Sequence, residues 1–430
     1  MNGFDSIIGY RGIKETLMQI SDLLKNRDVY AQLGVDVPRG ILLHGEPGVG
    51  KTMMAQALIA ESGLKSFICR KDEADGKFVA SIKKVFDSAR AESPCIILLD
   101  DLDKFSNEDE YRRNTDEFVT VQSCIDSLKG SGVFVVATAN DISCLPDSLI
   151  RVGRFDRVIE VPLPSEKDAL EIIRHYLKGK QTAEDLDPEF VSRIMHDRSC
   201  AELEEILNKA GLLAGYERKG KMNTDHFIRA YLNQDENDEY DSDSDAFDFA
   251  GGNPDSLQSH IIYHEAGHAV VSEILSPNSV TVVSALKEDQ HRGGFVSYAA
   301  VKNAVPVKSE KIKAIAALGG KAAIEYHFGV PDCGAVTDIN NAHRILYHHV
   351  CDACTLGFSH YEKSSRSDSE VNKAVINAEL ENCYRKAQEI IARNSEFLFK
   401  LASELSKHGY LTYKDIQQVK SRCLITPFSV

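Results

Sequence analysis

The sequence predicts an α/β unit, a parallel sheet flanked by helices with a small helical appendage, followed by a separate and mainly α-helical unit. Three observations carry this. Short β-rich apolar runs alternate with amphipathic stretches up to about residue 164. The pattern then turns helical as far as residue 232, and an acidic stretch at 233–256 interrupts the chain before helical periodicity returns. With 430 residues there is room for two or three domains, each with its own core.

The elements follow in order. "GILLHG" (Gly40–Gly45), "CIILLDD" (Cys95–Asp101), "GVFVVATAN" (Gly132–Asn140) and "RVIEVPLP" (Arg157–Pro164) read as strands; continuous apolar runs of this kind suit a parallel sheet covered on both faces. "SIKKVFDSARAES" (Ser81–Ser93) is one of the helices between them, and together they define a first domain at 1–164. Residues 165–232 contain "EKDALEIIRHYLKG", "DPEFVSRIMHD" and "AELEEILNKAGLLAGYE", which read as a small bundle. The stretch 233–256 is rich in Asp, Ser, Asn and Gly and has little to bury, so a flexible acidic linker is expected. The last domain, 257–430, is mainly helical, interrupted by the β-like "NSVTVVSALK" and "GGFVSYAAV".

A net charge of −15 with no basic stripe argues against a nucleic-acid partner, because phosphate binding needs clustered Lys and Arg. No window approaches the roughly 18–20 apolar residues that span a bilayer, and the N-terminus lacks the plan of a signal peptide, so a cytoplasmic protein without a membrane anchor is expected. The ten cysteines are scattered, as suits reduced thiols. Cys351 and Cys354 form a single CxxC without a second pair to complete a site, and read as helix thiols rather than as metal or redox ligands.

Two motifs carry chemistry. "GEPGVGKT" (Gly45–Thr52) fits GxxxxGK[ST] and lies between a strand and a helix, as that pattern requires. Gly45, Gly48 and Gly50 let backbone N–H groups close around phosphate oxygens, Lys51 bridges the terminal phosphates, and Thr52 ligates Mg²⁺. "IILLDD" then ends a buried strand in two acids, where Asp100 can hold the metal shell and Asp101 can orient the attacking water. Asn140 closes the next strand with an amide that could reach the γ-phosphate, and "DSLIRVGRFDR" (Asp147–Arg157) packs three arginines into a short loop. These arginines are either surface charge or cations for a neighbouring subunit's nucleotide.

The second motif is "YHEAGHAVV" (Tyr263–Val271). Residues four apart share a helix face, so His264 and His268 can reach one zinc ion while Glu265 projects beside them as a base. A catalytic zinc needs a third protein ligand. In "DCGAVTDINNAHRI" (Asp332–Ile345), Asp338 opens an amphipathic helix and is either that ligand or a helix cap; spacing does not decide between them.

The P-loop, the acid-ending strand, "ATAN" and "LIRVGRFDR", in this order, resemble the AAA+ ATPases. The resemblance implies a P-loop α/β domain with a helical lid, in a homo-oligomeric and usually hexameric ring with ATP bound between subunits. Asn140 matches sensor 1, and Arg151 and Arg154 match the paired arginine fingers. "FDSIIGY" and "RSCAELEEILNKAGLLA" are similar to segments that close over the nucleotide, which extends the candidate contacts to Ile8, Gly9 and Ala201, while the P-loop match itself and the residue after it add Pro47, Val49 and Met53. Followed by HEAGH, "GGFVSYA", "AALGGKAAIEYHFG" and "GAVTDINNAHRI", this domain resembles the FtsH-type ATP-dependent zinc proteases. That likeness implies His264, His268 and Asp338 as zinc ligands and Glu265 as base. It also implies unfolded or partly unfolded polypeptides as substrates, received along the edge strand "GGFVSY" by β-augmentation.

The chain departs from this family at four places. It starts almost at the ATPase domain, where the family usually has transmembrane helices. Its acid pair is Asp100–Asp101 where the family has Asp then Glu, which draws the water-orienting carboxylate back by about 1.5 Å. The first pore loop falls at "ADG" (Ala74–Gly76) with no aromatic, so either Phe78 grips the substrate or threading is weak. "DSL" (Asp126–Leu128) replaces an inter-subunit Asp-Gly-Phe signal.

Overall fold

The computed structural model describes residues 3–35, 38–71, 78–105, 116–151, 153–232, 257–285, 294–298, 307–330, 334–361 and 370–429. They form two compact units, Met1–Tyr231 and Leu232–Val430.

The first unit begins with α1 (Arg11–Lys25) and α2 (Arg27–Gln32) and continues as an alternating run. This comprises β1 (Gly40–His44), α3 (Lys51–Ser62), β2 (Lys65–Cys69), α4 (Phe78–Ala91), β3 (Cys95–Leu99), α5 (Asp116–Ser127), β4 (Val133–Ala139) and β5 (Arg157–Glu160). All pairings are parallel, in the order β2-β3-β4-β1-β5. β3 and β4 are buried along their whole length, as their unbroken apolar runs require, and Ile82, Phe86, Phe118 and Ile125 of α4 and α5 pack into the same core. β2 was not legible as a strand: it lies at the sheet edge with Ile68 59% exposed, so "KSFIC" never shows a buried run. The carboxyl ends of β1, β3 and β4 lie side by side and bring the P-loop, Asp100 and Asn140 to one rim.

Four helices complete this unit: α6 (Glu166–Leu177), α7 (Pro188–Ile194), α8 (Cys200–Tyr216) and α9 (Thr224–Leu232). Each of the first three starts at a capping side chain, Ser165, Asp187 and Ser199. Ser199 and Glu202 form a full capping box. Phe78 is buried and meets Phe105 edge-on at 4.7 Å, so its ring is committed to the core. The "ADG" position and the acidic linker lie outside the described residues.

The second unit is helical around a small sheet. Its elements are α10 (Leu257–Leu275), β6 (Val280–Ser284), β7 (Phe295–Tyr298), α11 (Val307–Ala317), α12 (Gly319–Phe328), α13 (Val336–Tyr347), a π-helical turn (His348–Asp352), α14 (Glu370–Arg393), α15 (Ser395–His408), β8 (Tyr410–Thr412) and α16 (Tyr413–Ser421). The strands are antiparallel in the order β7-β6-β8, which leaves β7 paired on one side among the described residues. α10 runs through the core, with Ala266, Ala269 and Val270 fully buried. It crosses α12 at Gly267, where a Cβ would fall 2.5 Å from both Ala323 Cβ and Gly319 O, so only glycine permits this approach. Among the described residues no helix is long and apolar enough to cross a membrane.

Candidate functional sites

In the second unit three side chains from two helices converge. His264 and His268 share one face of α10, and Asp338 lies in the first turn of α13. His264 Nε2 is 3.0 Å and His268 Nε2 3.3 Å from Asp338 Oδ2, and the two Nε2 atoms are 3.1 Å apart. Zinc bonds of about 2.0–2.1 Å at tetrahedral angles space ligand atoms about 3.3 Å apart, so this donor set fits such an ion. Orientation agrees. His268 Nδ1 donates to the Ala316 carbonyl at 2.9 Å, which fixes the ring's orientation and turns Nε2 toward the cluster. Asp338 does not cap its helix: α13 starts at Ala335 without a side-chain cap, and the carboxylate faces the histidines.

The cluster also depends on a residue that the sequence did not single out. A Cβ on Gly320 of α12 would fall 2.6 Å from His264 Cε1 and 2.7 Å from the Nε2 atoms of His264 and His268. The available signal was the Gly319–Gly320 pair at the start of a helix, where glycine is disfavoured unless space demands it.

Electrostatics follow from burial. Desolvation pushes the Glu265 carboxyl up, against the pull of His268 and His264. Burial alone would lower His268, but the Asp338 hydrogen bond and the nearby carboxylates outweigh it and push the imidazolium up to about 9. Burial would likewise raise Asp338, and hydrogen bonds from His264 and His268 hold it well below the usual carboxylate range instead. Glu265 lies against the start of β7: a Cβ on Gly294 would meet its Cγ at 2.6 Å and Ser284 O at 2.2 Å. Glu265 and the start of β7 are therefore neighbours.

The other histidines of this unit stand elsewhere. His260 stacks on Phe328 at 3.9 Å, His327 stacks on Tyr263 at 3.7 Å, His343 is half-buried on α13, His348 pairs with Asp352, His349 is buried, His360 meets Asn372 and His408 meets Glu404; His291 lies outside the described residues. Cys351 and Cys354 are not joined in a disulfide, and the Cys354 thiol donates to the Cys351 carbonyl. Among the described residues, His264, His268 and Asp338 are the one group of three or more side chains arranged to hold a metal.

In the first unit the loop after β1 turns through glycines with positive φ: Gly45 (150°), Gly48 (78°) and Gly50 (96°). A Cβ at Gly45 would meet Val161 O at 2.1 Å, and one at Gly48 would meet Ala201 Cβ at 2.8 Å. Lys51 Nζ donates to Gly45 O, Glu46 O and Asn140 Oδ1 at 2.7–2.8 Å. Burial lowers its ammonium, and Asp101, Asp103 and Asp100 oppose that pull. Thr52 Oγ1 and Thr138 Oγ1 donate to Asp100 Oδ1 at 2.9 and 2.8 Å.

Of the outlying residues, Ala201 donates its N–H to Gly48 O at 3.1 Å and so fixes the start of α8 on the loop. Val49 is buried, while Pro47 and Met53 are exposed. Gly9 (φ 70°) is followed by Tyr10, whose N–H donates to Asp168 Oδ1 at 2.7 Å; Ile8 precedes this turn half-buried. The arginines differ. Arg151 is exposed, whereas Arg154 makes a two-pronged pair with Asp126 of the same chain at 3.0 and 2.9 Å.

Comparison with known proteins gives two family matches: "ATPase family associated with various cellular activities (AAA)" over residues 41–163 and "Peptidase family M41" over residues 254–419. The chain is 27% identical over 431 residues to "ATP-dependent zinc metalloprotease FtsH 2" of Thermoanaerobacter sp. (strain X514), spanning 96% of this chain and 82% of that protein. It is 28% identical over 450 residues to "ATP-dependent zinc metalloprotease FtsH" of Karelsulcia muelleri (strain DMIN), spanning 97% and 70%. With "ATP-dependent zinc metalloprotease FtsH 1" of Alkaliphilus metalliredigens (strain QYMF) it shares 31% identity over 367 residues, spanning 80% and 60%.

Proposed function

The chain belongs to the FtsH-type AAA+ zinc metalloproteases, and from that premise we propose that His264, His268 and Asp338 hold its zinc and that Glu265 is its catalytic base. The observation that carries this reading is the convergence of His264 Nε2, His268 Nε2 and Asp338 Oδ2 beside a buried Glu265. A zinc ion held there would supply Lewis acidity to the scissile carbonyl and to the attacking water. Glu265 accepts the water proton on a carboxylate oxygen and returns it to the leaving amine. Backbone groups along β7 offer an extended polypeptide a strand to pair with, and Gly294 lets that edge approach Glu265. In the first unit Gly45, Gly48, Gly50 and Lys51 would hold the phosphates of ATP, Thr52 and Asp100 the Mg²⁺, and Asp101 the water.

On this reading the protein works as a homo-hexameric ring in the cytoplasm. Exposed Arg151 supports the ring, since a transition-state cation between subunits needs a planar multi-donor group, and Arg154 would join it on leaving Asp126. Scattered free cysteines suit a reducing compartment.

A second reading, a peptidase gated by nucleotide with little unfolding power, is favoured by two observations. Phe78 is buried rather than free to grip a chain, and Asp101 is ion-paired to Lys104. The test compares degradation of a folded and an unfolded protein by wild type, Lys51→Ala, Glu265→Gln and His264→Ala, with zinc content measured alongside. Glu265→Gln is expected to retain zinc and lower peptidolysis by about 100- to 10,000-fold, and His264→Ala to lose both. Peptidolysis surviving in Glu265→Gln would sink the mechanism. Degradation of the unfolded substrate that needs bound ATP, lost in Lys51→Ala, and of the folded one never, would select gating.

A further inference from the structure

We propose that Lys104 and Arg70 are positioning residues that hold the Asp101 carboxylate away from the nucleotide's attacking water, so that ATP hydrolysis in this chain is braked from within its own subunit. The inference rests on the reading of Asp101 as the water-orienting acid.

Local geometry brings the first cation in. Asp101 has a positive φ of 55°, which an aspartate tolerates better than most side chains, and it immediately precedes the 3₁₀ turn Leu102–Phe105. The turn closes back on Asp101 through an i→i+3 bond: the Lys104 backbone N–H donates to Asp101 O at 3.0 Å, and its Nζ lies 2.9 Å from Asp101 Oδ2. The hydrogen bond raises the Lys104 ammonium above its ordinary range, so it stays charged at any working pH.

Sheet register brings in the second. β2 and β3 pair with Cys69 opposite Leu99, and Asp100 donates its N–H to Cys69 O at 3.0 Å. Arg70, the next residue, thereby reaches both acids from the neighbouring strand, with its guanidinium 3.6 Å from Asp100 Oδ2 and 3.7 Å from Asp101 Oδ2.

The two acids are held by different chemistry. Asp100 Oδ1 accepts from the neutral hydroxyls of Thr52 and Thr138, and Arg70 is the one cation beside its Oδ2 among the described residues, whereas Asp101 has Lys104 at hydrogen-bond distance as well. Asp101 Oδ2 faces two cations, Lys104 at hydrogen-bond distance and Arg70 at 3.7 Å, so a water competes for it against full opposite charges. A glutamate here could reach past the cations. The aspartate, shorter by about 1.5 Å, cannot.

The experiment measures steady-state ATP hydrolysis by the full chain, and Mg²⁺-free binding of fluorescent ADP, for wild type, Lys104→Ala, Lys104→Arg, Arg70→Ala, the double alanine variant and Asp101→Asn. Lys104 and Arg70 are more than half exposed, so their variants are expected to fold, and ADP binding checks each preparation. Lys104→Ala is expected to raise kcat by about three- to tenfold, the kinetic equivalent of one partly screened ion pair, with KM and the ADP Kd within about twofold. The double variant rises further, and Lys104→Arg, which keeps the cation, stays near wild type. A kcat that is unchanged or lower in Lys104→Ala and in the double variant overturns the brake. Asp101→Asn separates the two readings: a loss of about 100-fold or more is expected of a group that handles the water's proton, and full activity there would overturn the assignment of Asp101 itself.

Discussion

Single atoms decide how much of each site can change. Gly320 is the sharpest case, because any side chain there intrudes on both ligand nitrogens at once. Gly320→Ala is expected to weaken zinc affinity by about 10- to 100-fold, as loss of a supporting contact around a metal typically does, while helix content by circular dichroism stays at the wild-type level. An unchanged zinc affinity in a competition titration would mean the histidines can move aside. The His268–Ala316 hydrogen bond works the other way, fixing a ring orientation through a backbone group that no side-chain motif can encode. At the nucleotide site Lys51 already has three oxygen partners, so its ammonium is held in position for phosphates.

Elements add a second kind of constraint, since the zinc helix is itself anchored. Glu273, fully buried near the end of α10, accepts from the N–H groups of Asn278 and Val280, from Gln417 Nε2 at 2.9 Å and from Lys420 Nζ at 3.0 Å. These bonds tie α10 to β6 and α16. Lys420→Met leaves a buried carboxylate short of its cation and is expected to cost the second unit about 2–4 kcal/mol, read from its denaturation midpoint. Little change would show that the remaining N–H donors are enough. His349, in the π-helical turn after α13, gives the unit an acid sensitivity. Burial lowers it, His348 and Lys311 add to this, and Glu310 and Glu379 oppose it. A histidine depressed in the folded state stays neutral there while the unfolded chain protonates near pH 6.5, so stability is complete above about pH 6.5 and is lost as pH falls below it. His349→Gln is expected to flatten this acid limb in melting temperature against pH. An acid limb as steep as in wild type would assign it to other groups.

At the scale of the whole molecule, each unit has its own core and its own chemistry. Lys51→Ala is therefore expected to abolish nucleotide binding while leaving zinc stoichiometry, and cleavage of a short unstructured peptide, within about twofold of wild type, as additivity predicts for sites that share no partner residues. Peptide cleavage that falls with ATP binding would instead show that nucleotide controls the zinc site itself.

The sequence by itself determined what is contiguous or periodic. The P-loop, the buried strands and the span Leu257–Leu275 were legible because a loop motif, an apolar run and a four-residue spacing are local patterns. The tertiary contacts alone turned the Asp338 carboxylate from a cap position onto His264 and His268, placed Gly320 against the histidines, turned Arg154 onto Asp126 and set Lys104 and Arg70 on Asp101. β2 belongs with these, since an edge strand is recognised by the neighbour it pairs with. Most of these contacts join residues far apart in the chain, and the distances between them are set by sheet register and helix crossing rather than by any spacing along the sequence.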